Sequence, residues 1–320
     1  MSLTKTKISR KINFTPVPEF PRMHYFNNNR AIIIINPKAG TKGMGYFRRT
    51  LRKYHDVFDY ATFSDINEFR SFIKGSFDKY DVYIAAGGDG TVNSLATELI
   101  GTGKILGVIP YGSGNGFARE MGFRKDISSL AKSVNGRQSL DIDVLYLNNL
   151  PCINVAGTGI DSFVAHEFHN LGTRGFISYG ITTLKIASLI KPIDIEIRSD
   201  SGVIKGKTYM VSIANTRQFG NNALIAPNAV PNDGRFDIAV LKPFPRILFP
   251  FFAVRLMSGT LKESRYLSYI VSDSKVTIKT QEKRFHIDGE PVLINDEIAV
   301  SIRKQSLKVL KTCYNRWMAN

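Results

Sequence analysis

The chain is poor in cysteine, with Cys152 and Cys313 alone among 320 residues. Their placement offers no metal-binding or redox spacing, so a reducing cytoplasm is the expected setting. Residues 1–30 show no apolar core of the length a secretory signal needs, and none is expected. Acidic residues are scarce, 27 Asp and Glu against 43 Lys and Arg, a formal charge of +16. Such a surface draws polyanions: nucleic acid, anionic lipid headgroups or nucleotides. There is no basic repeat and no aromatic RNP-type signature, which argues against nucleic acid. His166-Glu167-Phe168-His169 lacks the spacing of a helical zinc site. The run RILFPFFAVRLM at 246–257 is too short to span a bilayer and carries Arg255, leaving a core helix or an interfacial one.

What is present begins with a globular composition, 43% hydrophobic and 11% aromatic, in a chain long enough for two domains. Its organising stretch is 80–101. Residues 81–86 form a short apolar run, and apolar residues at 92, 95, 96, 99 and 100 have helical spacing. This predicts a strand, a Gly87-Gly88-Asp89-Gly90 turn and a helix. The glycines remove Cβ atoms that would hold a ligand off the backbone, and the helix start offers donors and positive potential to a phosphate. A carboxylate beside an anion is repulsive unless a cation lies between, so Asp89 reads as a Mg²⁺ partner, direct or through water. A plain glycine turn with an aspartate cap is the alternative.

Residues 31–35 predict a buried parallel strand running into Asn36-Pro37-Lys38-Ala39-Gly40, a loop that reaches a nucleotide or is simply a basic turn. Helices are expected over 45–54 and 65–74 and strands over 57–62 and 105–109. Alternating strands and helices imply a parallel sheet with right-handed crossovers and a ligand beyond its carboxyl edge. A further glycine loop, Gly112-Ser113-Gly114-Asn115-Gly116, leaves the 105–109 strand with converging amides and two polar side chains. From about 143 the pattern changes. Alternation over 193–198, 207–214, 236–241, 275–279 and 297–303 predicts an antiparallel sheet, interrupted chiefly by helices over 174–189 and 245–258.

Six stretches, IIIINPKAG (32–40), GGDGTVN (87–93), IPYGSGNGFAR (109–119), INVAGTGID (153–161), APNAVPNDGRFDI (226–238) and HIDGEP (286–291), together resemble the diacylglycerol kinase-like lipid kinases. That family includes bacterial soluble diacylglycerol kinases and the sphingosine and ceramide kinases. The resemblance implies an α/β nucleotide-binding domain with a parallel sheet and a C-terminal β-sandwich, the active site lying between them. The expected divisions are a basic tail over 1–29, a catalytic domain over 30–142, a sandwich over 143–303 and a last segment, 304–320, packing back on the first domain.

For the site, the resemblance implies that ATP and Mg²⁺ lie over three loops. The first gives Asn36, Lys38 and Gly40. The second gives Gly87, Gly88, Asp89, Gly90, Thr91, Val92 and Asn93, and the third Gly112, Ser113 and Asn115. Thr62 matches a nucleotide contact after the second strand, and Asp143 an aspartate at the domain junction. Glu290 takes the role of the base that accepts the acceptor's hydroxyl proton, with Asp288 as a partner of Mg²⁺ or water beside it; alone, this Asp-Gly-Glu also reads as an ordinary hairpin. Asp233 with the carbonyls of Val230 and Arg235 matches the family's structural Mg²⁺ loop, although Asn-Asp-Gly is also a common turn. Gly116 stands where many bacterial members have Asp, nearer the sphingosine and ceramide kinase pattern, and Ser94 where many have Glu; both depart from the standard diacylglycerol kinase pattern.

The expected function is ATP- and Mg²⁺-dependent phosphorylation of a lipid hydroxyl, diacylglycerol first and a sphingoid base or ceramide next. A kinase of a soluble acceptor such as NAD, which shares the glycine turn, and a basic nucleic-acid-binding protein are the other readings. The expected location is cytoplasmic, peripheral on an anionic membrane face. A homodimer is left open.

Overall fold

The computed structural model describes residues 30–36, 49–63, 65–171, 191–295 and 297–314. The helix expected over 174–189, the tail over 1–29, and Lys38 and Gly40 lie outside the described residues. Four parallel strands open the chain: β1 (Ala31–Ile35), β2 (Phe58–Thr62), β3 (Val82–Gly87) and β4 (Ile105–Pro110). All five residues of β1 and all six of β3 are buried, as a parallel strand covered on both faces requires. Helix α1 (Ile66–Gly75) starts on Asp65, whose carboxylate accepts the Asn67 and Glu68 N–H groups, and buries Phe69 and Ile73. Helix α2 (Asp89–Leu99) follows β3, α3 (Gly116–Glu120) follows β4, and α4 (Ile127–Gly136) comes next.

The remaining strands are β5 (Ser139–Leu147), β6 (Leu150–Cys152), β7 (Val155–Gly159), β8 (Ile193–Ser199), β9 (Gly202–Thr208), β10 (Met210–Ala214), β11 (Phe236–Leu241), β12 (Leu267–Ser272), β13 (Val276–Thr280), β14 (Arg284–Ile287), β15 (Glu290–Leu293) and β16 (Ile298–Leu310). Helix α5 (Ile160–Leu171) follows β7, and α6 (Phe249–Ser258) follows a 3-10 turn at Arg246–Leu248. The sequence pattern does not announce α5. The single strand expected over 207–214 is two, β9 and β10, broken around Tyr209.

One ten-stranded sheet, in the order β2-β1-β3-β4-β16-β13-β8-β9 with β5 and β6 attached to β16, runs through both halves of the chain. The other sheet is six-stranded, β12-β11-β10-β7-β14-β15. They enclose a sandwich core with Ile197, Ile278 and Val300 from one side and Val211, Ile213, Phe236 and Phe285 from the other. Alternation turns Met210 and Ala214 the other way, under α6, with Phe244 and Phe249.

Strand β16 joins the halves. Its first part pairs with β13 and β5, and its last residues, Lys308 and Val309, lie parallel to β4. The register slips between Arg303 and Leu307, where Gln305 has φ 46°. Buried Asp143, inside β5, holds that bulge: its Oδ1 accepts the Gln305 N–H at 2.7 Å and its Oδ2 the Gly234 N–H at 2.7 Å. The expected boundary at 142/143 therefore falls in the middle of a shared strand.

A second tie crosses from α3. Glu120 is fully buried and accepts from Arg217 Nε at 2.6 Å and Gln218 Nε2 at 2.9 Å. Truncating one partner of such a pair strands the other charge, so Glu120→Ala is expected to cost about 3 kcal/mol or more. Urea unfolding checks this, with Glu120→Gln retaining part of the loss because its amide oxygen still accepts.

Candidate active site

The Gly87–Asn93 turn sits where expected, at the carboxyl edge of β3. No side chain caps α2, and Gly88 at its N-cap is extended, so the first turn of the helix faces outward. The glycine loop after β4 closes on the same place. A Cβ on Gly112 would stand 2.6 Å from Gly88 Cα, so the two loops touch backbone to backbone only because both are glycine. Asn115, left-handed at φ 51°, ties its own loop by accepting from Gly112 N at 2.9 Å and donating to Gly112 O at 2.7 Å. Its own N–H reaches Asp89 Oδ2 at 2.9 Å. Ser113 is exposed at the loop tip. Asn36, at the end of β1, donates from Nδ2 to Thr91 Oγ1 at 2.9 Å, which brings three loops to one edge. Thr62 ends β2 beside Ile35. Val92 buries its side chain in the core that packs around β1, β3 and β4, leaving only its backbone to the site.

The opposite wall comes from some 200 residues later in the chain. Strands β14 and β15 form a hairpin whose turn is Asp288 and Gly289, at φ 52° and 82°. This is the ordinary Asp-Gly hairpin that the sequence allows, and it is set against α2. The Glu290 carboxylate lies on Gly90, where any Cβ would overlap it. Asp288 is buried, and both its oxygens are taken: Oδ1 accepts from Asn154 N at 2.8 Å and Cys152 Sγ at 3.1 Å. Oδ2 accepts from Asn93 Nδ2 at 2.5 Å and Ile153 N at 3.1 Å. Asn93 therefore joins α2 to the hairpin rather than facing solvent.

Burial, partly offset by the Asn115 N–H and augmented by the neighbouring charges of Asp288 and Glu290, pushes Asp89 up from 3.8 to about 7. A single hard carboxylate beside an uncapped helix start suits Mg²⁺ that keeps several waters and meets phosphate oxygens, so Asp89 fits as one ligand of such an ion. In the 230–235 segment Asp233 is exposed, its Oδ1 accepting the Arg235 N–H at 2.9 Å. The Pro231 carbonyl is taken by the Asp143 N–H at 2.7 Å. Among the described residues no group of three or more His, Cys, Asp or Glu side chains could hold a metal.

Sequence reasoning missed a polar cluster behind the hairpin. Ser212 on β10 and His286 on β14 each pair in register with Gly157 on β7, the strand between them. Asp161, from the first turn of α5, lowers its carboxylate onto Gly157, where a side chain would exclude it. Its Oδ2 accepts from Ser212 Oγ at 2.8 Å and lies 3.2 Å from His286 Nε2, while His286 Nδ1 faces the Gly289 N–H at 3.4 Å. Gly157-Thr158-Gly159 followed by Asp161 was the available signal. His166, in the excluded zinc pattern, meets the Phe285 carbonyl instead.

The comparisons with known proteins agree with this arrangement. Residues 30–147 match the family described as the diacylglycerol kinase catalytic domain. Residues 154–311 match the YegS C-terminal NAD kinase beta sandwich-like domain. The diacylglycerol kinase of Bacillus subtilis is 28% identical over 272 residues, covering 82% of this chain and 89% of that protein. A Salmonella gallinarum protein named "Probable lipid kinase YegS" is 29% identical, covering 66% of this chain and 72% of that protein. A solved structure of a diacylglycerol kinase from Bacillus anthracis superposes with a TM-score of 0.70 at 19% identity, covering 89% of this chain and 97% of that one, and shows the same fold. Matched by both domain models and by relatives along most of its length, the chain belongs to the diacylglycerol kinase-like lipid kinase family.

Proposed function

We propose that this lipid kinase transfers the γ-phosphate of ATP to a lipid hydroxyl, with diacylglycerol the first acceptor to test. One observation carries the reading: the Glu290 carboxylate stands over Gly90, at the uncapped start of α2. A phosphate held by the α2 N-terminus would lie beside a carboxylate able to accept the hydroxyl proton. Phosphoryl transfer has a loose transition state, so positioning and charge neutralisation are most of what the protein must supply. The backbone amides of the two glycine loops supply donors, and Asn115 and Asn36 keep those loops together. Asp89 would hold Mg²⁺, whose chemistry is to neutralise phosphate charge. Asp288, with both oxygens filled by donors, acts by positioning Glu290.

A small apolar cleft of about 20 Å³ lies between β1 and α1, lined by Ile35, Asn36, Phe63, Phe69 and Thr91 among others. The 230–235 segment is a second, structural Mg²⁺ loop in this reading: Asp233 with the Val230 and Arg235 carbonyls, next to Asp143, which ties the halves together.

The sandwich's likeness to NAD kinase favours NAD as the second acceptor class. Both readings predict that Glu290→Gln lowers turnover about a hundredfold or more without unfolding the protein. Radiolabelled ATP offered with diacylglycerol, sphingoid base, ceramide or NAD separates them. Label in a lipid supports the proposal, label only in NAD replaces the acceptor, and unchanged turnover in the variant removes Glu290 from the mechanism.

The raised Asp89 carboxyl has a pH consequence. The folded state binds this proton more tightly than the unfolded chain, so ionisation destabilises the fold increasingly as pH rises from about 4 to 7, fully above it. In a chelator the melting temperature is expected to be lower at pH 8 than at pH 5 from this group. Mg²⁺ should recover more stability at pH 8, where it displaces no proton. Differential scanning calorimetry of wild type and Asp89→Asn checks both, the variant losing the difference between pH 5 and pH 8 in the Mg²⁺-dependent gain.

A further inference from the structure

Helix α6 is apolar around nearly its whole circumference yet lies on the surface. Its inner side is anchored: Phe249 is buried, Phe252 and Leu256 pack on the core beneath the six-stranded sheet, and the Phe244 and Phe249 rings stand 4.7 Å apart. The outer side leaves Phe251 57%, Val254 66% and Met257 37% exposed, and Ile247, on the turn just before the helix, is 85% exposed. Phe251 and Val254, three residues apart, share one face of the helix, and Ile247 stands on the 3-10 turn that leads into it. A continuous apolar face of this kind is unusual on a surface that only water covers. Around it the chain is cationic. Between 242 and 265 stand Lys242, Arg246, Arg255, Lys262 and Arg265 against a single carboxylate, Glu263, and all five cations are exposed. Arg255 lies over the Phe251 ring at 4.5 Å, its charge at the rim of the apolar patch.

We propose that this face of α6 docks the enzyme on an anionic lipid bilayer, the four apolar side chains entering the headgroup boundary and the surrounding cations meeting acidic headgroups. A ten-residue helix spans about 15 Å, so it lies in the interface and does not cross it. The face is also tied to the active site. The Leu224 N–H donates to the Leu256 carbonyl at 2.9 Å, the Ala223 N–H to the Gly220 carbonyl at 2.9 Å, and Gly220 bridges to Asn115 of the glycine loop. These contacts lead from the docking face to Asn115, whose N–H reaches Asp89. The inference deepens the proposed lipid phosphorylation by naming the surface through which the acceptor's membrane is met.

The test is co-sedimentation of the full chain with phosphatidylcholine vesicles, alone or mixed with phosphatidylglycerol, read without turnover. Wild type and Glu290→Gln are expected to bind the anionic vesicles equally, which separates docking from catalysis. Ile247→Ser/Val254→Ser should weaken binding about tenfold or more, because two apolar side chains no longer leave water. Arg246→Gln/Arg255→Gln should weaken it about tenfold on anionic vesicles only, with a shallower salt dependence. Both pairs are exposed, so unchanged melting temperatures are expected. Equal binding of the serine variant and wild type overturns the proposal, as does equal binding of wild type to neutral and anionic vesicles. A wild-type dimer in sedimentation equilibrium that the serine variant abolishes also overturns it, by assigning the face to a second copy of the chain.

Discussion

The site depends on one buried carboxylate. Asp288 gathers donors from α2, from the β6–β7 connection and from the Cys152 thiol, and in doing so presses the β14–β15 hairpin against the glycine turn. A buried ionised group is costly unless its lone pairs are filled, and here four donors fill them. With that requirement met, Glu290 stands over Gly90. The Asp288 carboxylate, through Asn93, is what ties the hairpin near residue 290 to the helix that starts at 89.

Around this contact the fold is arranged to keep two chain regions in register. Strand β16 belongs to both halves of the ten-stranded sheet, and Asp143 secures its bulge from the neighbouring strand. Glu120 fastens α3 to the 217–218 segment, and Gly116 lies against the Phe219 carbonyl, a place with no room for a side chain. The cluster of Asp161, Ser212 and His286 supports the hairpin from behind, on the sheet face opposite the sandwich core.

Local features of the fold were legible. The Ile32–Ile35 run, the glycine turn after β3 and the Asp-Gly turn at 288–289 each state their geometry within a few residues, through burial, missing Cβ atoms and positive φ. The parts that were not legible depend on distant partners. Nothing near Asp288 in sequence shows that Asn93 and Asn154 will fill its oxygens, so it reads as a metal partner. Nothing near Gly157 shows that it must stay bare to admit Asp161. The division at 143 was drawn from a change in periodicity, and periodicity cannot see that β5 pairs with a strand that also borders β4. For 246–257, composition gave an apolar helix, and only the packing of Phe249 and Phe252 shows which side faces out.

The central claim is that α2, Asp89 and Glu290 form one phosphoryl-transfer site. A crystal structure with Mn²⁺ and a non-hydrolysable ATP analogue, using the anomalous signal to place the metal, tests it most directly. The account predicts manganese density at Asp89 and the terminal phosphate between the α2 N-terminus and Glu290. A nucleotide bound elsewhere, or a terminal phosphate out of reach of Glu290, would contradict it.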